Sequence, residues 1–273
     1  MFRRLETPSI APQTATAFGL FVFLVVTWHV YAMILGRAYV LPNPLEVFGA
    51  GWDLLERGMY RSGKVYRLHD LFFLTMWRVV PGVLAGSLLG YISAVFASQF
   101  PILRAFSLTL SAMLYAVSAL AVFVLLQHWM GTGETAKWLL AAWVGFAVTF
   151  SLVYRRSESM FAGREALCDW MRILGVSPLE FALRHAWPLL GRQAIISAQW
   201  ASLLTWKLTP ITDPVGDNPQ GVGLLIMYGT ELEGGTPLMF VGVILGVVGT
   251  GLTWLLFELL GRLLRGKWET GER

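Results

Sequence analysis

Arg78 is the residue whose position most clearly suggests a chemical role, because it is the one charged residue within the apolar run Leu71–Gln99. A charge inside a membrane segment is costly and often marks a transport pathway or a gate. Arg78 lies about seven residues from one end of the run, so its long side chain could also reach the membrane interface. A role in substrate passage or gating therefore stays open beside a structural one, and the aromatic residues that would line such a path are Trp77, Tyr115 and Tyr228.

Other arrangements of residues that carry out chemistry are missing from the sequence. The four histidines, His29, His69, His128 and His185, share no metal-ligand spacing, and the single cysteine excludes a disulfide framework. The sequence contains no HExxH motif, no Ser/His/Asp arrangement and no Walker-type glycine loop. We therefore expect no catalytic residue, no metal site and no cofactor in this chain, and no ATP hydrolysis by it.

The composition indicates a protein whose solvent is the lipid bilayer. Of the 273 residues 56% are hydrophobic and 14% are charged, whereas about a quarter of a soluble domain is charged. The net charge of +4 is small and scattered, which argues against a nucleic-acid partner. Six apolar runs approach the length that crosses a membrane. They are Ala17–Leu35, Leu71–Gln99, Ala105–Gln127, Lys137–Tyr154, Gln193–Trp206 (the marginal one) and Pro237–Phe257.

The distribution of basic residues predicts the orientation of these spans. With the N-terminus inside the cell, 13 Lys and Arg residues fall on the cytoplasmic side and 7 on the outer side. Both termini are then cytoplasmic, and the longest inner loop, 155–192, carries six of the thirteen. We expect an N-terminal tail over 1–16, one membrane domain over 17–257 that includes this loop, and a C-terminal tail over 258–273.

This inner loop is predicted to be folded. Arg164–Leu174 has the periodicity of a short helix, and Gly175 then stands where a helix ends in a left-handed residue. Ser177 and Glu180 have the spacing of a capping box for a second helix, which we expect Pro188 to break. Two interpretations stay open: an amphipathic hairpin on lipid headgroups, or a docking element for a cytosolic partner.

The loop resembles the coupling loop of the permeases of binding-protein-dependent ABC importers. That loop reads Glu-Ala-Ala, three residues, Gly, nine residues, then Ile-x-Leu-Pro. Here Asp169 stands in the place of the glutamate, and Trp170 and Met171 replace the two alanines. Gly175 and Pro188 keep the glycine and the proline at the family spacing.

Further segments resemble the nitrate, sulfonate, taurine and bicarbonate permeases, in the same order along the chain. They are Leu41–Val47, Thr75–Gly82 with Gly90, Met130–Glu134 with Lys137, and Gly221–Ile226. The likeness covers roughly residues 40–257. Two elements depart from the family pattern. The Arg-x-Ile-Pro element of the third span is replaced by Tyr115–Leu120, and the nearest candidates for the acidic element before the Gly-Leu-Gly stretch are Asp213 and Asp217.

The resemblance implies an all-α membrane protein with about six transmembrane helices and the type I, MetI-like, importer permease fold. It implies a subunit of the bacterial inner membrane that pairs with a second permease, as a homodimer or a heterodimer. Two ATPase subunits would bind ATP and Mg, and a soluble binding protein would deliver a small anion. The coupling residues would be Asp169, Trp170, Met171, Arg172, Gly175, Arg184 and Pro188. The alternative is a structural or assembly subunit that descends from such permeases and no longer transports.

Two surface features complete the sequence-based expectations. The stretch Pro44–Arg57 is predicted to form a helix with Leu45, Phe48, Trp52 and Leu55 on one face. This face suits either the outer membrane interface or a site that receives a binding protein. The last span also carries small residues that suit close helix packing, namely Gly242, Gly246, Gly249 and Gly251.

Overall fold

A computed structural model describes residues 10–37, 39–61, 63–160, 173, 175–216, 220–232 and 234–265, and most of these are helical. The helices in chain order are α1 (Ile10–Leu35), α2 (Pro44–Glu56), α3 (Leu68–Ala97), α4 (Pro101–Ala116), α5 (Ala119–Met130), α6 (Glu134–Met160), α7 (Pro178–Phe181), α8 (Trp187–Thr212), α9 (Val222–Glu231) and α10 (Thr236–Arg265). A short antiparallel hairpin, β1 (Met59–Arg61) and β2 (Lys64–Tyr66), lies between α2 and α3.

The described residues divide into two compact units. One comprises the described parts of Met1–Leu68 and Leu225–Val241, and the other those of His69–Leu224 and Gly242–Arg273. The larger unit has a buried apolar core contributed by several helices, with Val83 from α3, Val144 from α6, Ala201 from α8 and Phe257 from α10. The long apolar runs of the sequence thus supply the helices that bury one another.

Among the described residues, three helices are long and apolar enough to cross a membrane: α3, α6 over Glu134–Ser159, and α10 over Thr236–Leu264. The apolar part of α1, Gly19–Leu35, is shorter. The marginal fifth run lies within α8, which extends it at both ends to 26 residues. Helices therefore occupy all six predicted places, but the number of spans that cross the bilayer stays a prediction.

The third predicted span, Ala105–Gln127, consists of two helices rather than one, and whether it crosses the bilayer stays a prediction. The chain bends by 87° between α4 and α5, so that the pair is either a broken span or a re-entrant loop. The bend lies at Val117 and Ser118, whose backbones are both extended, with ψ of 121° and 124°. The Val117 N–H still donates to the Met113 carbonyl, which completes the last turn of α4 before the chain changes direction.

The second helix of the inner loop continues without interruption into α8. Between α7 and α8 the residues Ala182–Ala186 form a π-helical turn, and the Trp187 N–H donates to the Ala182 carbonyl. Pro188 follows in the first turn of α8, where its missing N–H costs little. The expectation that Pro188 ends the second helix was wrong. The π-helical turn before it already accommodates the backbone hydrogen bond that the proline cannot donate.

In the smaller unit, α2 forms as predicted. Asn43 and Glu46 form a capping box: the Leu45 N–H donates to the Asn43 side chain at 3.1 Å, and the Asn43 N–H donates to the Glu46 carboxylate at 3.0 Å. The apolar face of α2 is exposed, and the rings of Phe48 and Trp52 stack on it at 6.3 Å. This exposure leaves both predicted uses of the face open.

Candidate functional site

The side chain of Arg78 is buried among charged groups, of which Asp213 and Lys137 are also buried and Glu134 is 52% exposed. The residue is only 4% exposed, and its guanidinium donates through Nη1 to Asp213 Oδ1 at 2.8 Å and to the Gln220 carbonyl at 2.7 Å. Its Nη2 donates to Glu134 Oε1 at 2.6 Å, and Nε donates to the other oxygen of the same carboxylate. The arginine is therefore held by two carboxylates and a backbone carbonyl, which is a favourable arrangement for a buried guanidinium.

Asp213, which is 1% exposed, accepts hydrogen bonds from several directions. Besides Arg78, the Thr75 hydroxyl donates to its Oδ2 at 3.0 Å and the Gly223 N–H at 3.1 Å. Burial raises the pKa of the Asp213 carboxyl, and the charge of Arg78, the largest opposing influence, lowers it in part. Asp213 thus connects the end of α8 to α3 and to the start of α9.

Lys137 supplies the second cation of the cluster and is 5% exposed. Its Nζ donates to the Asp213 backbone carbonyl at 3.0 Å and lies 3.9 Å from Glu134 Oε1. Two cations therefore face two carboxylates, so the cluster carries no net charge when all four are ionised. We call Thr75, Arg78, Glu134, Lys137 and Asp213 the Arg78 cluster.

Glycines allow the chain before α9 to approach the cluster. Gly221 has φ +118°, and a Cβ on it would lie 2.3 Å from Asp213 Oδ2. A Cβ on Gly223 would lie 2.1 Å from the Thr209 carbonyl oxygen. Between them, the Val222 N–H donates to the Thr75 hydroxyl at 2.9 Å. The Gly-x-Gly spacing of this segment is therefore required by close contact of the backbone with Asp213 and α8.

The glycine turn of the inner loop has the predicted conformation. Gly175 is exposed and has φ +68°, the left-handed region that favours glycine. Only half of the predicted capping box forms: the Glu180 N–H donates to the Ser177 hydroxyl at 3.1 Å. The Glu180 carboxylate instead pairs with Arg184 at 2.9 Å, one turn further along. Four of the predicted coupling residues, Asp169, Trp170, Met171 and Arg172, lie outside the described residues.

Residues 86–268 match the family of the binding-protein-dependent transport system inner membrane component. The chain belongs to this family. The match covers the bend, the inner loop and the last three helices, and it begins within α3. No curated protein and no solved structure gives a significant match.

Membership confirms the coarse expectations from the sequence. The protein is a multi-pass membrane permease with the all-α, MetI-like fold, and it is the pore subunit of an ABC importer rather than an enzyme. The family implies ATPase and binding-protein partners. The nitrate, sulfonate, taurine and bicarbonate subtype stays a prediction.

The permease holds the end of its inner loop through contacts close to Pro188. The hydroxyl of Tyr91 in α3 donates to the Trp187 carbonyl, and the two rings lie 4.5 Å apart. Nearby, α4 is joined to α6: the Tyr154 hydroxyl donates to the Arg104 carbonyl at 2.8 Å, and Arg104 pairs with Glu158 at 3.0 Å. A displacement of the loop would therefore reach α3 directly through Tyr91.

The residues predicted to line a path have different surroundings. Trp77 is 71% exposed, although it adjoins Arg78 in sequence, and Tyr228 is half-buried in α9 of the smaller unit. Tyr115 lies at the end of α4, lines a cavity at the bend, and has the Arg155 guanidinium over its ring at 5.5 Å. Arg78 is not among the residues that line this cavity, and its own pairing leaves no free charge for a passing solute. A role for it in gating stays a prediction.

Sequence reasoning identified Arg78 but did not identify most of its partners. Glu134 and Lys137 appeared there only within a segment resembling the family, and Thr75 only within another. One signal was available: Glu134 and Lys137 are three positions apart, which places them on the same face at the start of α6. Asp213 had been named as a candidate for the family's acidic element, and the structure places it in contact with Arg78.

Proposed function

We propose that this permease couples ATP hydrolysis by cytosolic ATPases to the import of a small anion. Two ATPase subunits, which bind ATP and Mg, would dock at the loop 155–192. A second permease subunit would complete the pore in the bacterial inner membrane, and a soluble binding protein would deliver the solute at the outer face. Both termini would then be cytoplasmic.

The observation that carries this proposal is the Gly175 turn, which lies within the matched residues 86–268. The turn is followed by a helix that is capped by Ser177 and runs on through the π-helical turn into α8. A force applied to the loop would therefore act on one continuous helical segment. Because Tyr91 holds the start of α8, the same force would reach α3.

Replacement of Gly175 by proline is expected to abolish ATP-driven uptake while the permease still inserts into the membrane. Proline fixes φ near −65°, whereas this position has φ +68°, so the direction of the hairpin must change. No atom of the described residues lies within 4 Å of a Cβ placed there, which limits damage to the described part of the fold. The measurements are the amount of co-expressed ATPase that copurifies with the permease, and uptake into proteoliposomes.

Gly63→Pro is the matched control for this experiment. Gly63 also has a positive φ of +79° and open space around it, but it lies in the hairpin between β1 and β2, on the predicted outer side. ATPase copurification should be unchanged in this variant. Normal ATPase association and normal uptake in Gly175→Pro would contradict the docking of the ATPase at this loop.

A further inference from the structure

The bend between α4 and α5 opens a cavity of about 220 Å³. Its walls are contributed by the bend itself, by α6 and by α8. The lining residues include Leu114, Tyr115, Val117, Trp143, Ala147 and Lys207. Pockets for drug-sized ligands occupy roughly 300–1,000 Å³, so the cavity suits a smaller solute.

Lys207 is the charged residue among those lining the cavity, and its side chain is exposed. Within the part of the chain that the structure describes, its ammonium group forms no hydrogen bond and no ion pair. Lys137, by contrast, is held by Asp213 and Glu134 in the Arg78 cluster. Lysines in the membrane segments of transporters face a partner or a polar pathway, because an unpaired ammonium in an apolar environment is costly. Lys207 therefore offers an unused charge at an otherwise apolar wall.

The cavity has the electrostatic character of a site for an anion. No Asp or Glu is among the described residues that line it. The guanidinium of Arg155 does not line the cavity, but it lies 5.5 Å from the ring centroid of Tyr115, which does. The remaining walls, including Leu114, Val117 and Trp143, are hydrophobic or aromatic.

We infer that this cavity is a binding subsite for a small organic anion, with its anionic group on the Lys207 ammonium and its apolar body against Leu114 and Trp143. The inference rests on the proposed function, because it places the subsite on the path of the imported solute. It also narrows the solute class: an apolar wall contributes to the binding of a sulfonate or carboxylate with a hydrocarbon body, whereas nitrate and bicarbonate have no such body.

The test uses the full-length permease in nanodiscs of phosphatidylcholine, with sodium 1-butanesulfonate as the probe and isothermal titration calorimetry as the readout. Butanesulfonate is expected to bind, and n-butylamine, a cation with the same hydrocarbon body, is expected not to bind. Lys207→Met should weaken butanesulfonate binding about ten- to a hundredfold, the typical effect of losing one charged hydrogen bond. Lys207→Arg should restore most of the affinity.

Lys64→Met, in the hairpin of the smaller unit, is the matched control and should bind butanesulfonate as the wild type does. Equal affinity in the wild type and Lys207→Met, equal binding of butylamine, or no binding of butanesulfonate to the wild type would each overturn the subsite. If addition of phosphatidylglycerol abolishes butanesulfonate binding, Lys207 faces the headgroups of anionic lipid, and the inference is also overturned.

Uptake by the complete importer separates the two proposals. If butanesulfonate binding depends on Lys207 but no ATP-driven uptake occurs, the proposed function fails and the subsite is supported. If the wild type and Lys207→Met bind butanesulfonate equally while the wild type imports its solute, the subsite alone fails.

Discussion

Replacement of Arg78 by glutamine is expected to destabilise the folded permease by about 3–5 kcal/mol, the usual cost of breaking a buried ion pair from one side. The fully buried Asp213 would lose its main counter-ion, and the carbonyl of Gln220 would lose a donor. Asp213 is 1% exposed, so water cannot readily replace the arginine at its carboxylate. The measurement is the thermal unfolding of the purified protein in detergent, together with its amount in the membrane.

Arg104→Gln is the matched control, because it removes an arginine of the same helical bundle from a different kind of ion pair. The side chains of Arg104 and Glu158 are 42% and 28% exposed, so water screens their interaction. The expected loss is about 0–1 kcal/mol, as for exposed pairs in general. A difference between the two variants would therefore reflect burial and not simply the loss of a charge.

A double variant tests the cause more directly. Combined with Arg78→Gln, Asp213→Asn removes the unpaired carboxylate while its amide oxygen can still accept from the Gly223 N–H. We expect the double variant to be more stable than Arg78→Gln alone. If Arg78→Gln is as stable as the wild type yet imports no solute, the hypothesis that Arg78 takes part in substrate passage is favoured over the structural role.

The helices were predictable because long apolar runs leave few alternatives within a membrane. The Gly175 turn was predictable as well, because glycine and a following Ser-x-x-Glu sequence are local signals. The bend at Val117 and Ser118 was not, since it occurs at neither glycine nor proline. Proline was also a poor guide, because Pro81 lies within α3 without interrupting it.

The Arg78 cluster shows why a site is harder to predict than its central residue. Arg78 stood out by its type within an apolar run. Its partners Glu134 and Asp213 are 56 and 135 positions away along the chain, and nothing local connects them. Only the packing of α3 against α6 and the end of α8 brings these charges together.

Gly86→Ala is expected to destabilise the permease by about 3 kcal/mol, the upper part of the range for overpacked cores. A Cβ on Gly86 would lie 1.9 Å from the carbonyl oxygen of Ala142 and 2.8 Å from the Phe146 nitrogen, so it would meet the backbone of α6. Backbone atoms cannot turn aside as a side chain can, and α3 and α6 must move apart. On the facing helix, a Cβ on Gly145 would also meet backbone, 2.7 Å from the Val83 carbonyl oxygen.

This interface has a sequence signal, the spacing Gly82-x3-Gly86-x3-Gly90, which is typical of helices that pack closely in membranes. The expectation from the sequence pointed instead to the glycines of the last span. In the last span, close packing is found at Gly249, where a Cβ would lie 2.3 Å from the ring of Trp206. Gly246 and Gly251 have open space around them.

Gly251→Ala is therefore the matched control for Gly86→Ala, with the same substitution in the same type of helix. We expect its stability to be unchanged or higher, by up to about 1 kcal/mol, because alanine is the better helix former and nothing obstructs the added methyl group. Thermal unfolding in detergent measures both variants. Equal stability of the two would mean that α3 and α6 are not in backbone contact in the membrane. The charges that α3 and α6 contribute to the Arg78 cluster would then need another means of being held together.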